Sequence, residues 1–244
     1  MTPPLLEVVD VSVTYDDTFT ALSGATFTVQ EGEVVAVVGP NGAGKSTLFK
    51  AMAGFIDHDG DIVIHGRHCH HLERQSIAYI PQHTDVDIRF PISVQEVVMA
   101  GRRRFHPHRM KVTADDTSHV MACLAHVDLQ GMEKRSLSTL SGGQMQRVFL
   151  ARALAQEADV LLLDEALSGV DAMHTDELIS LFHDLAAEGT SILVSTHDLS
   201  LVRQRFTRCL TINRRILADG HPDVALSAER IERLFSNTTE GADS

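Results

Sequence analysis

No stretch of this sequence approaches the run of about 18 apolar residues that a membrane-crossing helix needs, so no helical span is expected. The opening residues, MTPPLLEVVD, have neither the basic flank nor the long apolar centre of a secretory signal, and the chain is expected to stay in the compartment where it is made. Cysteine is scarce. Cys69, Cys123 and Cys209 are odd in number, far apart and contain no C-x-x-C, which argues against a disulfide framework and for free thiols in a reducing compartment. Positive charge is in deficit: 21 Lys and Arg face 33 Asp and Glu, for a net charge of −12. Such a chain repels phosphate backbones overall, so broad nucleic-acid binding is not expected and any phosphate must be held locally. Internal repeats are absent as well.

What is present reads as an ordinary globular composition, 43% hydrophobic and 22% charged over 244 residues, long enough to bury a sizeable core without staples. Val9, Val11, Val13 and Tyr15 alternate with Asp10, Ser12 and Thr14, as in a half-exposed antiparallel strand, and Phe27 and Val29 repeat the pattern between Thr26, Thr28 and Gln30. The runs Val34 to Val38, Val160 to Leu163 and Ile192 to Val194 are apolar throughout, the mark of parallel strands covered on both faces. Leu178, Phe182 and Leu185 recur at helical spacing and end at Gly189, directly before the third of these runs. Strand, helix, strand makes an α/β unit. Between about 84 and 140 no such strand occurs, but Ser93-Val94-Gln95-Glu96 and Thr113-Ala114-Asp115-Asp116 look like capped helix starts, so the middle of the chain reads as a helical insertion. Residues 237–244 are polar and expected to be a disordered tail.

Gly39-Pro40-Asn41-Gly42-Ala43-Gly44-Lys45-Ser46 matches G-x-x-x-x-G-K-[ST] between an apolar strand and a helix start. Its glycines let successive N–H groups converge on a phosphate, Lys45 neutralises β- and γ-phosphate oxygens, and the Ser46 hydroxyl is a ligand for Mg²⁺, with Thr47 next on the helix. Asp164 and Glu165 end a buried strand, Asp164 to hold Mg²⁺ through water and Glu165 to polarise the attacking water as general base. Leu140-Ser141-Gly142-Gly143-Gln144 opens a helix. Ser141 and Gln144 satisfy a capping box, and the N-terminus they begin is an anion site.

The Ser141–Gln144 loop resembles the signature motif of ATP-binding cassette (ABC) ATPases, and nearly the whole chain fits that family in order and spacing. The resemblance implies an α/β fold, a P-loop NTPase of RecA-like core with an antiparallel β subdomain and an inserted helical subdomain at about 84–156, one domain filling residues 1–236. It implies that Tyr15 stacks on adenine, that Gln82 reaches Mg²⁺ and the attacking water, that Asp171 lies on the loop crossing to a second subunit, and that His197 contacts the γ-phosphate. Ser141, Gly142, Gly143 and Gln144 would complete the nucleotide site of that second ATPase subunit, in a head-to-tail homodimer holding two Mg-ATP. The family usually has proline after the catalytic glutamate, where this chain has Ala166, which bears on the rigidity of that loop.

Transport implies a separate integral membrane permease, placing the chain at the cytoplasmic face of a bacterial or archaeal cell membrane, with a solute-binding protein as an indirect partner. Phe90 to Arg102 and Leu167 to Asp171 look like cassettes serving zinc, manganese or iron-chelate uptake. Export, a non-metal cargo, or a non-transport role in DNA repair or translation are the alternatives. The last group would carry a heptad insertion, a DNA-binding domain or a second cassette, and none is present. Two clusters stand outside this scheme. His65, His68, Cys69, His70 and His71 offer metal-ligand side chains without the spacing of a structural zinc site. Arg102, Arg103, Arg104, His106, His108 and Arg109 form a basic run that is either solvated or turned to lipid headgroups or a membrane partner.

Overall fold

A computed structural model describes residues 3–16, 18–68, 76–82, 91–102, 112–167 and 172–236. The described chain runs β1 (Leu6–Tyr15), β2 (Phe19–Val29), β3 (Val34–Val38), α1 (Lys45–Met52), β4 (Asp59–Ile64), β5 (Arg67–His68), β6 (Ile77–Ile80), α2 (Val94–Arg102), α3 (Ala114–His126), a 3-10 turn (Leu137–Thr139), α4 (Gly142–Leu154), β7 (Val160–Leu163), α5 (Ala172–Ala187), β8 (Ser191–Thr196), α6 (Leu199–Arg205), β9 (Arg208–Ile212), β10 (Ile216–Gly220), α7 (Pro222–Ala225) and α8 (Ala228–Ser236).

Two sheets form. One is antiparallel, ordered β2-β1-β4-β5; the other has six strands, ordered β10-β9-β3-β8-β7-β6. In the larger sheet β9, β3, β8, β7 and β6 are parallel and β10 closes the edge antiparallel to β9. The uninterrupted apolar runs follow from two-sided cover. Successive residues of a strand face opposite ways, and Val35 and Val37 of β3 join a core with the antiparallel sheet and Leu48, Phe49 and Met52 of α1. Val34, Ala36 and Val38 join the opposite core, with α2, α3, α4 and α5. Leu178, Phe182 and Leu185 of α5 are buried there, as their spacing predicts.

The expected caps are present. Thr113 and Asp116 exchange side-chain to backbone hydrogen bonds at the start of α3. Glu96 likewise accepts from the Ser93 N–H at 2.8 Å, while the Glu96 N–H donates to Ser93 Oγ at 3.3 Å.

β1 departs from simple alternation. Val11 and Val13 are buried, but so is Val8, whereas Val9 is 44% exposed and Tyr15 38% exposed. The register slips between Val8 and Val11 and again around Val13, with Asp10 at φ +52° and its N–H donating to Thr26 Oγ1 at 2.9 Å. Such a bulge puts an extra residue in the strand and reverses the facing of what precedes it. Across the sheet Gly60 passes so close that a Cβ there would lie 2.4 Å from the Asp10 carbonyl oxygen. A period of two cannot register that close approach.

Arg102 also departs from expectation. It is neither solvated nor turned outward: its side chain, 12% exposed, pairs with Glu157 at 2.8 Å and Asp116 at 3.3 Å. The ionic contacts tie the end of α2 to α3 and to the turn after α4.

Candidate active site

In open α/β sheets ligands sit at the carboxyl ends of the strands, where connections leave in opposite directions. β3 lies between β8 and β9, and the Gly39–Ser46 loop leaves its carboxyl end to enter α1. Both sheets grip this loop. A Cβ at Gly39 would meet the Ile212 carbonyl oxygen of β9 at 2.2 Å, and one at Gly44, which has φ +95°, would meet the Ala21 carbonyl oxygen of β2 at 2.7 Å. The Arg214 N–H, beyond β9, donates to the Ala43 carbonyl at 2.8 Å. Glycine is therefore required at 39 and 44 by backbone approach. No side chain caps α1 and no acid lies in its first turn, so its N-terminal N–H groups and dipole point at the loop without a capping side chain of the helix's own. That is an anion cradle.

Around the cradle an open cavity of about 730 Å³ is lined by Pro40 to Thr47 together with Tyr15, Gln82, Glu165 and His197. Residues from four strand ends and one loop thus meet at one cavity. Lys45 is 5% exposed; its Nζ donates to the Gly39 carbonyl at 2.8 Å and the Pro40 carbonyl at 3.2 Å, and lies 3.7 Å from Glu165 Oε1. Burial pulls its pKa below the ordinary ammonium value, opposed by the nearby Glu165 and Asp164. Gln82 Nε2 donates to Glu165 Oε2 at 2.6 Å, and His197 Nδ1 stands 3.9 Å from the same oxygen.

Asp164 is 2% exposed and held by two hydroxyls: Ser195 Oγ donates to its Oδ1 at 2.7 Å and the Tyr79 hydroxyl to its Oδ2 at 3.0 Å. Burial first, then the adjacent Asp164 charge, drive the Tyr79 phenol well above its usual pKa, so it remains a donor. Ser195 Oγ also accepts from the Glu165 N–H at 2.8 Å. One hydroxyl therefore fixes both acids. Sequence reasoning did not assign Tyr79 or Ser195, because nothing local marks a tyrosine two residues into β6 or a serine inside β8 as carboxylate partners. It also missed Phe19 and Phe235, which line the same cavity.

Ser141, Gly143 and Gln144 do not join this cavity. They lie at the start of α4, where Ser141 Oγ accepts from the Gln144 N–H at 3.3 Å and Gln144 Oε1 from the Ser141 N–H at 3.1 Å. They line a separate open cavity of about 700 Å³ with Arg147, His174 and Glu177. Of the histidine cluster, His65 and His68 turn to different carboxylates, Asp159 at 3.3 Å and Asp61 at 3.1 Å. Asp171, Cys69, His70, His71, Phe90, the basic residues 103–109 and the tail 237–244 lie outside the described residues.

The donor set fits ATP and a magnesium ion. The glycine cradle leaves room at the phosphates, and Ser46, Gln82 and the doubly held Asp164 carboxylate are the oxygen ligands that a hard cation takes alongside phosphate. Among the described residues no group of three or more His, Cys, Asp or Glu side chains converges as a metal cage.

Comparison with known proteins agrees with this geometry. The sequence profile of the family described as ABC transporter matches residues 22–168. The chain is 42% identical to the manganese transport system ATP-binding protein MntA of Synechocystis, over 94% of this chain and 89% of that protein. It is 40% identical to the chelated iron transport system membrane protein YfeB of Yersinia pestis, over 95% and 79%, and 38% identical to the zinc transport system ATP-binding protein TroB of Treponema pallidum, over 85% and 78%. A solved structure described as an inward-facing metal-chelate type ABC transporter superposes with a TM-score of 0.84 at 29% identity, covering 96% of this chain and 90% of that one. The expected P-loop NTPase fold is thereby upheld, and among the described residues no helix is long and apolar enough to cross a membrane. A phosphate-cradling loop backed by a buried aspartate and an adjoining glutamate, on a chain matched along nearly its whole length, carries one conclusion: the chain belongs to the ABC transporter family and is an ATP-binding, ATP-hydrolysing subunit of it.

Proposed function

We propose that this chain drives the uptake of a transition-metal ion or metal chelate, working as a head-to-tail pair with a second copy of itself against a separate membrane permease. It would sit at the cytoplasmic face of that membrane, and a solute-binding protein would deliver the cargo to the permease. The observation that carries the reading is the separation of the two half-sites: the Lys45 cavity and the Ser141–Gln144 cavity share no lining residue. A second copy would bring one against the other. The three relatives named above, bearing manganese, zinc and chelated iron in their names, support the cargo class.

In this reading Tyr15 stacks on the adenine, the Gly39–Thr47 backbone binds the phosphates, and Lys45 neutralises their charge in a site where burial strengthens the interaction. Ser46, Gln82 and Asp164 would hold Mg²⁺, which would supply neutralisation of the phosphate charge. Glu165 takes the proton of the water that attacks the γ-phosphorus. Gln82 orients the Glu165 carboxylate through Nε2 and keeps its Oε1 for the cation. His197 and the α4 N–H groups of the second copy meet charge developing on the equatorial oxygens. Asp171 would cross between the copies.

The test is a gene deletion with cell-associated manganese, zinc and iron measured under limitation. Loss of one of them, restored by the intact gene and not by one encoding Glu165→Gln, is expected. Unchanged levels of all three with normal growth would overturn the cargo assignment.

A further inference from the structure

Glu165 occupies a backbone position that side-chain-bearing residues seldom adopt, φ +49°. A left-handed residue next to the reacting group persists only where its surroundings over-determine it. Two side chains from distant segments do so here. Ser195 Oγ accepts the Glu165 N–H, and one residue further on Gln146 Nε2 donates to the Ala166 carbonyl at 2.5 Å. Gln146 comes from the second turn of α4, the helix whose first residues are Gly142, Gly143 and Gln144.

The rest of the Gln146 amide is poorly served. Its Oε1 has no solvent exposure and no hydrogen-bond partner among the described residues. Beside it is an apolar cavity of about 60 Å³ between Gln82, Leu163, Ala166, Leu178 and Phe182. A half-satisfied amide in such surroundings is costly, and methionine would fill the same space without leaving an acceptor orphaned. Folding stability alone does not account for glutamine at this position. The donor it aims at Ala166 does.

We propose that Gln146 is a positioning residue for hydrolysis: its amide clamps the Ala166 carbonyl, sets the direction of the Glu165 carboxylate, and ties that carboxylate to α4, the helix offered to the second copy. This rests on Glu165 acting as the base. Nucleotide binding, made by the Gly39–Thr47 loop, does not pass through the clamp, so loss of the amide affects turnover and not affinity. Any shift of α4 would pull on the Ala166 peptide directly.

The test uses the full-length chain with Mg-ATP and three variants. Gln146→Met is expected to lower kcat by about tenfold to a hundredfold, the scale of a slight misplacement of a reacting group, with KM within twofold and Tm equal to or above that of the unaltered chain. Gln146→Glu keeps the shape, but its ionised carboxylate repels the Ala166 carbonyl, whereas its protonated form donates to it. Its deficit relative to the unaltered chain should therefore narrow as pH falls from 8.5 to 6. A kcat for Gln146→Met within twofold of the unaltered chain, or a Gln146→Glu deficit constant across that pH range, overturns the proposal. Glu165→Gln separates the two readings. If it still turns over within a few-fold, the base assignment fails whatever Gln146 does; if it is inactive while Gln146→Met is not slowed, positioning by Gln146 alone fails.

Discussion

Replacing Ser195 by alanine removes one oxygen and two hydrogen bonds, the 2.7 Å donation to Asp164 and the 2.8 Å acceptance from the Glu165 N–H. Ser195 is fully buried, so no water replaces them at once. A hydrogen bond to a charged acceptor contributes about 1.5–3 kcal/mol and a neutral one about 0.5–1.5, so the loss should be about 2–4 kcal/mol. In a chain of this size each kcal/mol moves Tm by about 2–4 °C, which gives a fall of roughly 5–15 °C. Because the Glu165 N–H is one of the anchors of a φ +49° residue, kcat should fall too, by about tenfold or more.

Ser191 is the internal control. It lies on the same strand, is equally buried, and also makes two bonds, donating to the Gln30 carbonyl at 2.9 Å and accepting from the Gly32 N–H at 3.0 Å. No acid is involved. Ser191→Ala should lose about 1–3 kcal/mol of stability by the same reckoning with ATPase activity unchanged. Thermal melts followed by circular dichroism, with steady-state phosphate release on the same preparations, make the comparison. The reasoning is wrong if Ser195→Ala melts within 2 °C of the unaltered chain, or if both variants hydrolyse ATP equally well.

Glu165→Gln should abolish repeated turnover while Mg-ATP still binds, and sizing in ATP should then trap the paired form; hydrolysis within a few-fold of the unaltered chain would remove Glu165 from its role. Gly143→Asp should fold normally, since a Cβ there meets only His174 Cδ2 at 3.9 Å, and should bind ATP without hydrolysing it. Mixed with Lys45→Ala, itself expected to lose nucleotide affinity, it should recover activity, because one composite site is then intact; no recovery would argue against a site shared between two copies. The buried thiols of Cys123 and Cys209 are both pushed up to about 11 by desolvation. Their contribution to stability is thus complete below the ordinary thiol value of 9 and declines as pH rises from there toward 11. In a Cys69→Ser background, thiol labelling at pH 8 should be slow until denaturant is added; rapid labelling of the folded chain would contradict the burial.

Much of the architecture could be read along the chain because it is encoded by near neighbours. The runs Val34 to Val38 and Val160 to Leu163 are apolar because both faces of those strands are covered, and composition alone reports two-sided burial. The phosphate loop is similarly local: a strand, glycines where backbone must pass backbone, a lysine, and a helix start all lie within a few residues. Ser93, Thr113 and Ser141 bond to groups three residues away, so their caps are visible in four-residue windows.

Contacts between segments far apart in sequence were beyond that reach. Period two put Val9 on one face with Val11 and Val13, but the bulge at Asp10, set by Thr26 and the close passage of Gly60, buries Val8 in its place and leaves Val9 exposed. Arg102 looked like part of a surface run and is instead paired with Glu157, which arrives from the far end of α4. Tyr79 and Ser195 reach Asp164 only because β6, β7 and β8 are adjacent in the larger sheet. Gln146 reaches Ala166 only because α4 packs where that loop emerges. What the sequence by itself determined was the phosphate cradle and the place of the acids, since these depend on residue type and short spacing, while the family entered through a resemblance along nearly the whole chain. Which hydroxyls and amides hold the acids in place was decided by strand order and helix packing, because a hydrogen bond of 2.5–3 Å depends on where two distant segments come to rest.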